Sequence, residues 1–176
     1  MTKRVAWAIA LSLSVLLLTA CGGLSDSVKH YNEGVKLQEQ GNLQNAIAEY
    51  DEATRLDPLF AVAHNNRGNA YRKLGQDQRA IEDYDEAIRL DPELTMAYYN
   101  RGNRHSDLGL FQLAVEDYNE AIRLDPNFAV AYAIRAVALT FLGHDVAAQV
   151  DIARATEFGI DQRLLDDALM QMESKR

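Results

Sequence analysis

Leu56-Asp57-Pro58, Leu90-Asp91-Pro92 and Leu124-Asp125-Pro126 are one tripeptide written three times, 34 residues apart. The residues ahead of each copy repeat as well: Glu49-Tyr50-Asp51-Glu52-Ala53, Asp83-Tyr84-Asp85-Glu86-Ala87 and Asp117-Tyr118-Asn119-Glu120-Ala121. A fixed period of this length marks a stack of like supersecondary units, none of which buries its apolar face alone. Such stacks present long contact surfaces instead of enclosed pockets, which argues against an enzyme.

Working outward from the prolines gives units 27–60, 61–94, 95–128 and a more divergent 129–162. Each reads as two helices; in the second unit they run from Ala63 to Leu74 and from Gln78 to Leu90. Gly41, Gly75, Gly109 and Gly143 recur where the first helix ends, a place that favours a left-handed residue. The residue before a proline leaves helical conformation, so Asp57, Asp91 and Asp125 close the second helices. Small residues share further offsets: Gly34, Gly68, Gly102 and Ala136, then Ala46, Ala80, Ala114 and Ala148. They let paired helices approach closely, while Tyr50, Tyr84 and Tyr118 fill the gap toward the next unit. In residues 163–176, Leu164, Leu165, Ala168, Leu169 and Met172 fall on one helical face, predicting a cap for the open end or a dimerisation helix.

In the second unit, the small core residues together with Tyr71, Leu74-Gly75, Ala80, Tyr84, Ala87 and Pro92 resemble the tetratricopeptide repeat (TPR) motif. The other units depart from it at Leu37, at His105, and at Ile152 and Gln162. The resemblance implies an all-α fold: a right-handed solenoid of four helix-turn-helix repeats plus a C-terminal capping helix.

It also implies a concave groove lined by the first helices. Carried over by offset, the lining is Tyr31, Asn32 and Val35, then Asn65, Asn66, Asn69, Arg72 and Lys73. The third unit adds Tyr99, Asn100, Asn103 and Asp107, and the fourth Ala133, Ile134, Val137, Thr140 and Phe141. Asparagine both donates and accepts, so Asn66, Asn69, Asn100 and Asn103 are expected to hold the backbone of an extended peptide, unless they belong only to the repeat pattern. A related group in the family grips C-terminal carboxylates; here its positions hold Tyr31, Val35, Met96 and Asn100, and only Asn66 agrees. In the fourth unit, Ala129 to Leu142 has Arg135 as its sole charge. A helix this apolar is buried on several sides. Either the cap covers it, or Ile134, Val137 and Phe141 form a hydrophobic partner site.

The first twenty residues stand apart from the repeats. Lys3 and Arg4 precede an uncharged apolar stretch from Val5 to Leu18, short for a spanning helix. Leu18-Thr19-Ala20-Cys21 resembles the lipobox of bacterial lipoproteins; the alternative is a plain secretory leader with a chance cysteine. The resemblance implies cleavage before Cys21, a diacylglycerol on its sulfur and an N-acyl chain on its amine. No other cofactor is expected. With Gly22 after the cysteine, the same resemblance implies the outer membrane, on its periplasmic face, with residues 21–26 as a lipidated tether. More than one acyl chain anchors stably where a single one holds only marginally. Cys21 is the sole cysteine, which excludes an intramolecular disulfide.

The whole chain carries a net charge of −8, and −10 without the first twenty residues, which hold two basic and no acidic ones. That balance opposes binding to nucleic acid or to anionic lipid. His30, His64, His105 and His144 lie in separate units and offer no closed metal set. No phosphate loop or nucleophile elbow appears, and carboxylates such as Glu49, Asp51 and Glu52 read as a solvated helix face. Neither a catalytic residue nor a small-molecule substrate is expected. The function implied is an interaction scaffold or adaptor in the cell envelope, binding an extended peptide or helix of another envelope protein. The alternative is a pilotin-like assembly factor for a secretin or type IV pilus.

Overall fold

The structure is a computed structural model that describes residues 26–163 and 165. Eight helices follow one another in pairs: α1 (26–39), α2 (Leu43–Leu56), α3 (Ala61–Lys73), α4 (Asp77–Leu90), α5 (Thr95–Asp107), α6 (Phe111–Leu124), α7 (Ala129–Phe141) and α8 (Asp145–Glu157). The chain turns helical again at 162–163. Most of the expected capping helix, the leader, Cys21 and residues 22–25 of the tether lie outside the described residues, while Asp26, the last residue assigned to the tether, is the first of α1. In the second unit the helices begin at Ala61 and Asp77, slightly earlier than periodicity suggests, because the turns ahead of them are tight.

Those turns explain the repeated tripeptide. Asp57, Asp91 and Asp125 end their helices in extended conformation, as a following proline demands. Each aspartate then accepts a hydrogen bond from the backbone N–H two residues on: Leu59 at 3.1 Å, Glu93 at 3.0 Å and Asn127 at 3.1 Å. The other turn relies on glycine. Gly75 has φ +71°, its N–H reaches the Arg72 carbonyl at 3.0 Å, and the Gln76 N–H reaches the Tyr71 carbonyl at 3.0 Å. This pair of bonds satisfies the last carbonyls of α3.

Within each unit the two helices close on a tyrosine. Tyr50, Tyr84 and Tyr118 are fully buried. A Cβ placed on Gly34, Gly68 or Gly102 would lie 2.7, 2.7 or 2.8 Å from the ring of the same unit's tyrosine. The tyrosine therefore fills its own unit's joint first, and also meets the next unit, since Tyr50 clusters with Ala70. The fourth unit reverses both sizes: Ala136 replaces glycine and Ile152 replaces tyrosine, both buried in one cluster that also takes in Leu165.

Successive units join second helix to first helix, α2 on α3, α4 on α5 and α6 on α7. In addition α3 approaches α5 and α5 approaches α7, whereas α4, α6 and α8 do not approach one another. The first helices thus lie on the inner, concave side of the stack.

Candidate functional site

Residues at helical spacings of three and four share a face, so Asn65, Asn66, Asn69, Arg72 and Lys73 of α3 all turn to one side. The structure divides the groove asparagines into two groups. Asn100 Nδ2 donates to Asn65 Oδ1 at 2.9 Å, Asn65 Nδ2 to Asn66 Oδ1 at 3.2 Å, and Asn66 Nδ2 to the Tyr31 hydroxyl at 2.9 Å. This chain of side chains ties α5 to α3 to α1, so these amides are occupied within the protein. Asn69 and Asn103 differ. Each accepts a hydrogen bond at Oδ1, from Tyr84 at 2.8 Å and from Tyr118 at 2.9 Å. Their Nδ2 groups remain as donors, one unit apart, held in orientation by buried tyrosines.

The flanks are apolar. Tyr31 packs on Tyr50 and Phe60, and Tyr99 on Tyr118 and Phe128. Ile134 and Tyr99 both pack against the cluster around Tyr118. Val137 is half-buried. Phe141 stacks on Phe111 with ring centroids 4.3 Å apart and planes 4° apart, which assigns its ring to packing between units as well as to the groove edge. Ala133 and Thr140 are buried, the Thr140 hydroxyl donating to the Ala136 carbonyl at 2.9 Å, so neither faces a ligand. Val28, Val62, Met96 and Val130 share one offset on the first helices and are all exposed, a row of apolar side chains along the groove. A depression of about 710 Å³ sits on α1 at the end of the groove row, lined by Val28, His30, Lys36 and Glu49.

Sequence reading missed a ladder of buried ion pairs. Arg67 holds Asp83 with two nitrogens, at 2.9 and 2.6 Å, and reaches back to Asp51 of the preceding unit at 2.6 Å. Arg101 does the same with Asp117 and Asp85, and Arg135 with Asp151 and Asn119. Asp51 is therefore a tether between units and not only a solvated carboxylate. The recurrence of Arg67, Arg101 and Arg135 at 34 residues was the available signal. Burial alone would lower the Arg67 pKa, but Asp83 and Asp51 more than offset it and hold the guanidinium above its ordinary value. His30, His64 and His105 also sit against carboxylates, at 2.6 Å from Glu49, 3.5 Å from Asp83 and 2.9 Å from Asp117. Among the described residues no His, Cys, Asp and Glu group could hold a metal ion. No described helix is long and apolar enough to cross a membrane.

The buried tyrosines of the joints register the local charge. Burial pushes the Tyr84 hydroxyl up to about 12, opposed by Arg72 and Arg104. Burial also raises Tyr50 and Tyr118, and there neighbouring groups add to the shift: Tyr31 and Glu39 at Tyr50, Tyr99 and Asp107 at Tyr118.

The tetratricopeptide repeat model matches residues 61–94 and 96–128, and a second TPR repeat model matches 37–75, together more than half of the chain. No curated protein matched. Among solved structures the chain is similar to the first TPR of Spaghetti (RPAP3) bound to the HSP90 peptide SRMEEVD. Identity there is 28%, with a TM-score of 0.67 over 68% of this chain and 95% of that one. It is similar to MamA at 26% identity, with a TM-score of 0.72 over 76% of this chain and 78% of that one. The Arabidopsis OM64 TPR domain shares the fold at 24% identity, with a TM-score of 0.64 over 66% of this chain and 96% of that one. With its matched motifs, paired helices and tyrosine-on-glycine joints, the chain belongs to the tetratricopeptide repeat family, whose members are interaction modules and not catalysts.

Proposed function

We propose that this chain is a lipid-anchored adaptor of the bacterial cell envelope that captures an extended segment of another envelope protein in its concave groove. The observation that carries the groove reading is the pair of oriented amide donors on Asn69 and Asn103, bordered by the exposed row Val28, Val62, Met96 and Val130. Backbone carbonyls of an extended chain suit those donors, and alternate side chains suit the apolar row. The similar TPR of Spaghetti (RPAP3) is bound to a peptide, which supports a peptide ligand here. Affinity capture from envelope extract tests this. The Asn69→Ala/Asn103→Ala variant is expected to lose partners that the wild type retains; identical partner sets would rule the groove out.

The anchor rests on Leu18-Thr19-Ala20-Cys21, a leader that meets the sole cysteine, with Gly22 favouring the outer membrane. Diacylglycerol and an N-acyl chain on Cys21 would hold the solenoid at the periplasmic face and raise its effective concentration near membrane partners. Mass spectrometry of the native protein should find acylated Cys21, and Cys21→Ser should move the protein from the membrane to the soluble fraction. An unmodified Cys21 in the membrane-bound native protein would refute the anchor and leave the groove untouched.

A further inference from the structure

The middle of the groove carries positive charge that the repeat framework does not require. At the offset of Arg72 the sibling helices hold Gln38, Ser106 and Thr140, and at that of Lys73 they hold Glu39, Asp107 and Phe141. A third position packs beside the preceding unit's tyrosine. There Ala70 clusters with Tyr50 and Ala138 with Tyr118, but the middle junction has Arg104. Arg104 gives one nitrogen to Asp77 at 3.1 Å and another to Asp107 at 2.8 Å, while its Nε is buried without a partner. An arginine with an unsatisfied buried donor, where alanine serves at both neighbouring junctions, costs stability.

The remaining two groove cations hold no carboxylate among the described residues. Most arginines of the described chain hold a carboxylate. Arg72 and Lys73 hold none among the described residues; Arg72 lies against the Tyr84 hydroxyl, and Lys73 is exposed. The sign of charge alternates along the groove: Glu39 acts on Tyr50, Arg72 and Arg104 on Tyr84, and Asp107 on Tyr118.

We propose that the groove selects an extended segment bearing an aspartate or glutamate side chain at its centre, held by Arg72 and Lys73, with apolar residues toward both ends. This rests on the groove reading above and specifies the chemistry of its centre. Asn69 stands one turn from Lys73 and supplies a backbone donor beside the carboxylate. Tyr31 and Val35 receive apolar side chains on one side, Ile134 and Val137 on the other. Lined surface continues past the cations in both directions, so the segment passes through and the carboxylate belongs to a side chain and not to a chain end. On a chain of net charge −8, an isolated positive spot also fixes the register of the segment, because an acidic residue placed elsewhere meets repulsion.

Selection of peptides tests this directly. The full chain is panned against a displayed library of random short peptides held at both ends, and against a second library ending in a free carboxylate. Wild type should enrich Asp or Glu between apolar residues in the first library. Lys73→Glu should reduce that preference, and Arg72→Glu/Lys73→Glu should invert it toward Lys or Arg. Lys73 is exposed, so its single variant keeps the experiment decisive if the double variant does not fold. A synthetic enriched peptide should lose about tenfold in affinity when its central Glu becomes Gln. An unchanged acidic preference in Lys73→Glu, or none in wild type, overturns the central assignment while leaving the groove in place. Enrichment confined to the second library shows a terminal carboxylate instead and overturns the side-chain assignment. If no peptide is enriched by wild type, the groove reading fails and takes this one with it.

Discussion

A methyl group added at Gly68 would stand 2.7 Å from Tyr84 Cε1 and 3.1 Å from the Ala80 carbonyl oxygen. The backbone carbonyl cannot yield cheaply, so Gly68→Ala should cost about 1–3 kcal/mol, read by urea unfolding. The same unit with Tyr84→Ile added should be less destabilised than the two single costs summed, because the smaller side chain vacates the space. The fourth unit already holds that arrangement in Ala136 and Ile152. Ile152→Tyr alone should therefore lower the melting temperature, and Ala136→Gly beside it should restore much of the loss. Strict additivity in either pair would show that glycine and tyrosine are chosen independently. At this scale the protein was legible from its sequence. Gly75 at φ +71° and the extended Asp91 ahead of Pro92 are backbone demands that few residue types satisfy, so they recur visibly.

Between helices, legibility falls because the partners are far apart in the chain. Asp83, Asp117 and Asp151 look like members of an acidic outer face, yet each is buried beneath an arginine from the unit's first helix. Only the stacking places Arg101 between Asp117 of its own unit and Asp85 of the preceding one. Asp117→Asn removes a buried charge and should cost about 3 kcal/mol, since Arg101 is left with one outer partner. Asp85 is half-exposed, and Asp85→Asn should cost under about 1 kcal/mol. Equal losses in chemical denaturation would contradict the ranking. The groove was similarly half-readable: the offsets of Asn65, Asn66, Asn69, Asn100 and Asn103 are visible, but not which amides neighbours consume. Phe141 shows the same limit, since its stacking on Phe111 depends on how α6 meets α7. Phe141→Ala should lower stability by about 1–2 kcal/mol as the stacked pair and its burial are lost. An unchanged melting temperature would return Phe141 to the groove alone.

Across the whole molecule, the three inter-helix joints of the first three units share one ionisable group, the buried tyrosine. Burial favours the neutral hydroxyl, so Tyr50, Tyr84 and Tyr118 all have pKa values raised above the ordinary phenol value of the unfolded chain, Tyr84 to about 12. The sign follows from linkage. A group whose folded pKa is raised contributes stability that is complete below the unfolded value, roughly 10, and is lost as pH climbs through the folded one. Units in a stack support their neighbours, so weakening three adjacent joints in one window should unfold the array cooperatively and not unit by unit. Helical circular dichroism and tyrosinate absorbance should then change together above pH ~10. The fourth unit, closed by Ile152 in place of tyrosine, carries no such group at its joint. Replacing Tyr84 by Phe should move the alkaline midpoint upward although it costs the hydrogen bond to Asn69, because one phenol no longer gains charge on unfolding. Tyrosines that ionise fully while the helical signal stays intact would mean that the joints tolerate a buried charge, and the rigidity that orients Asn69 and Asn103 would need another source.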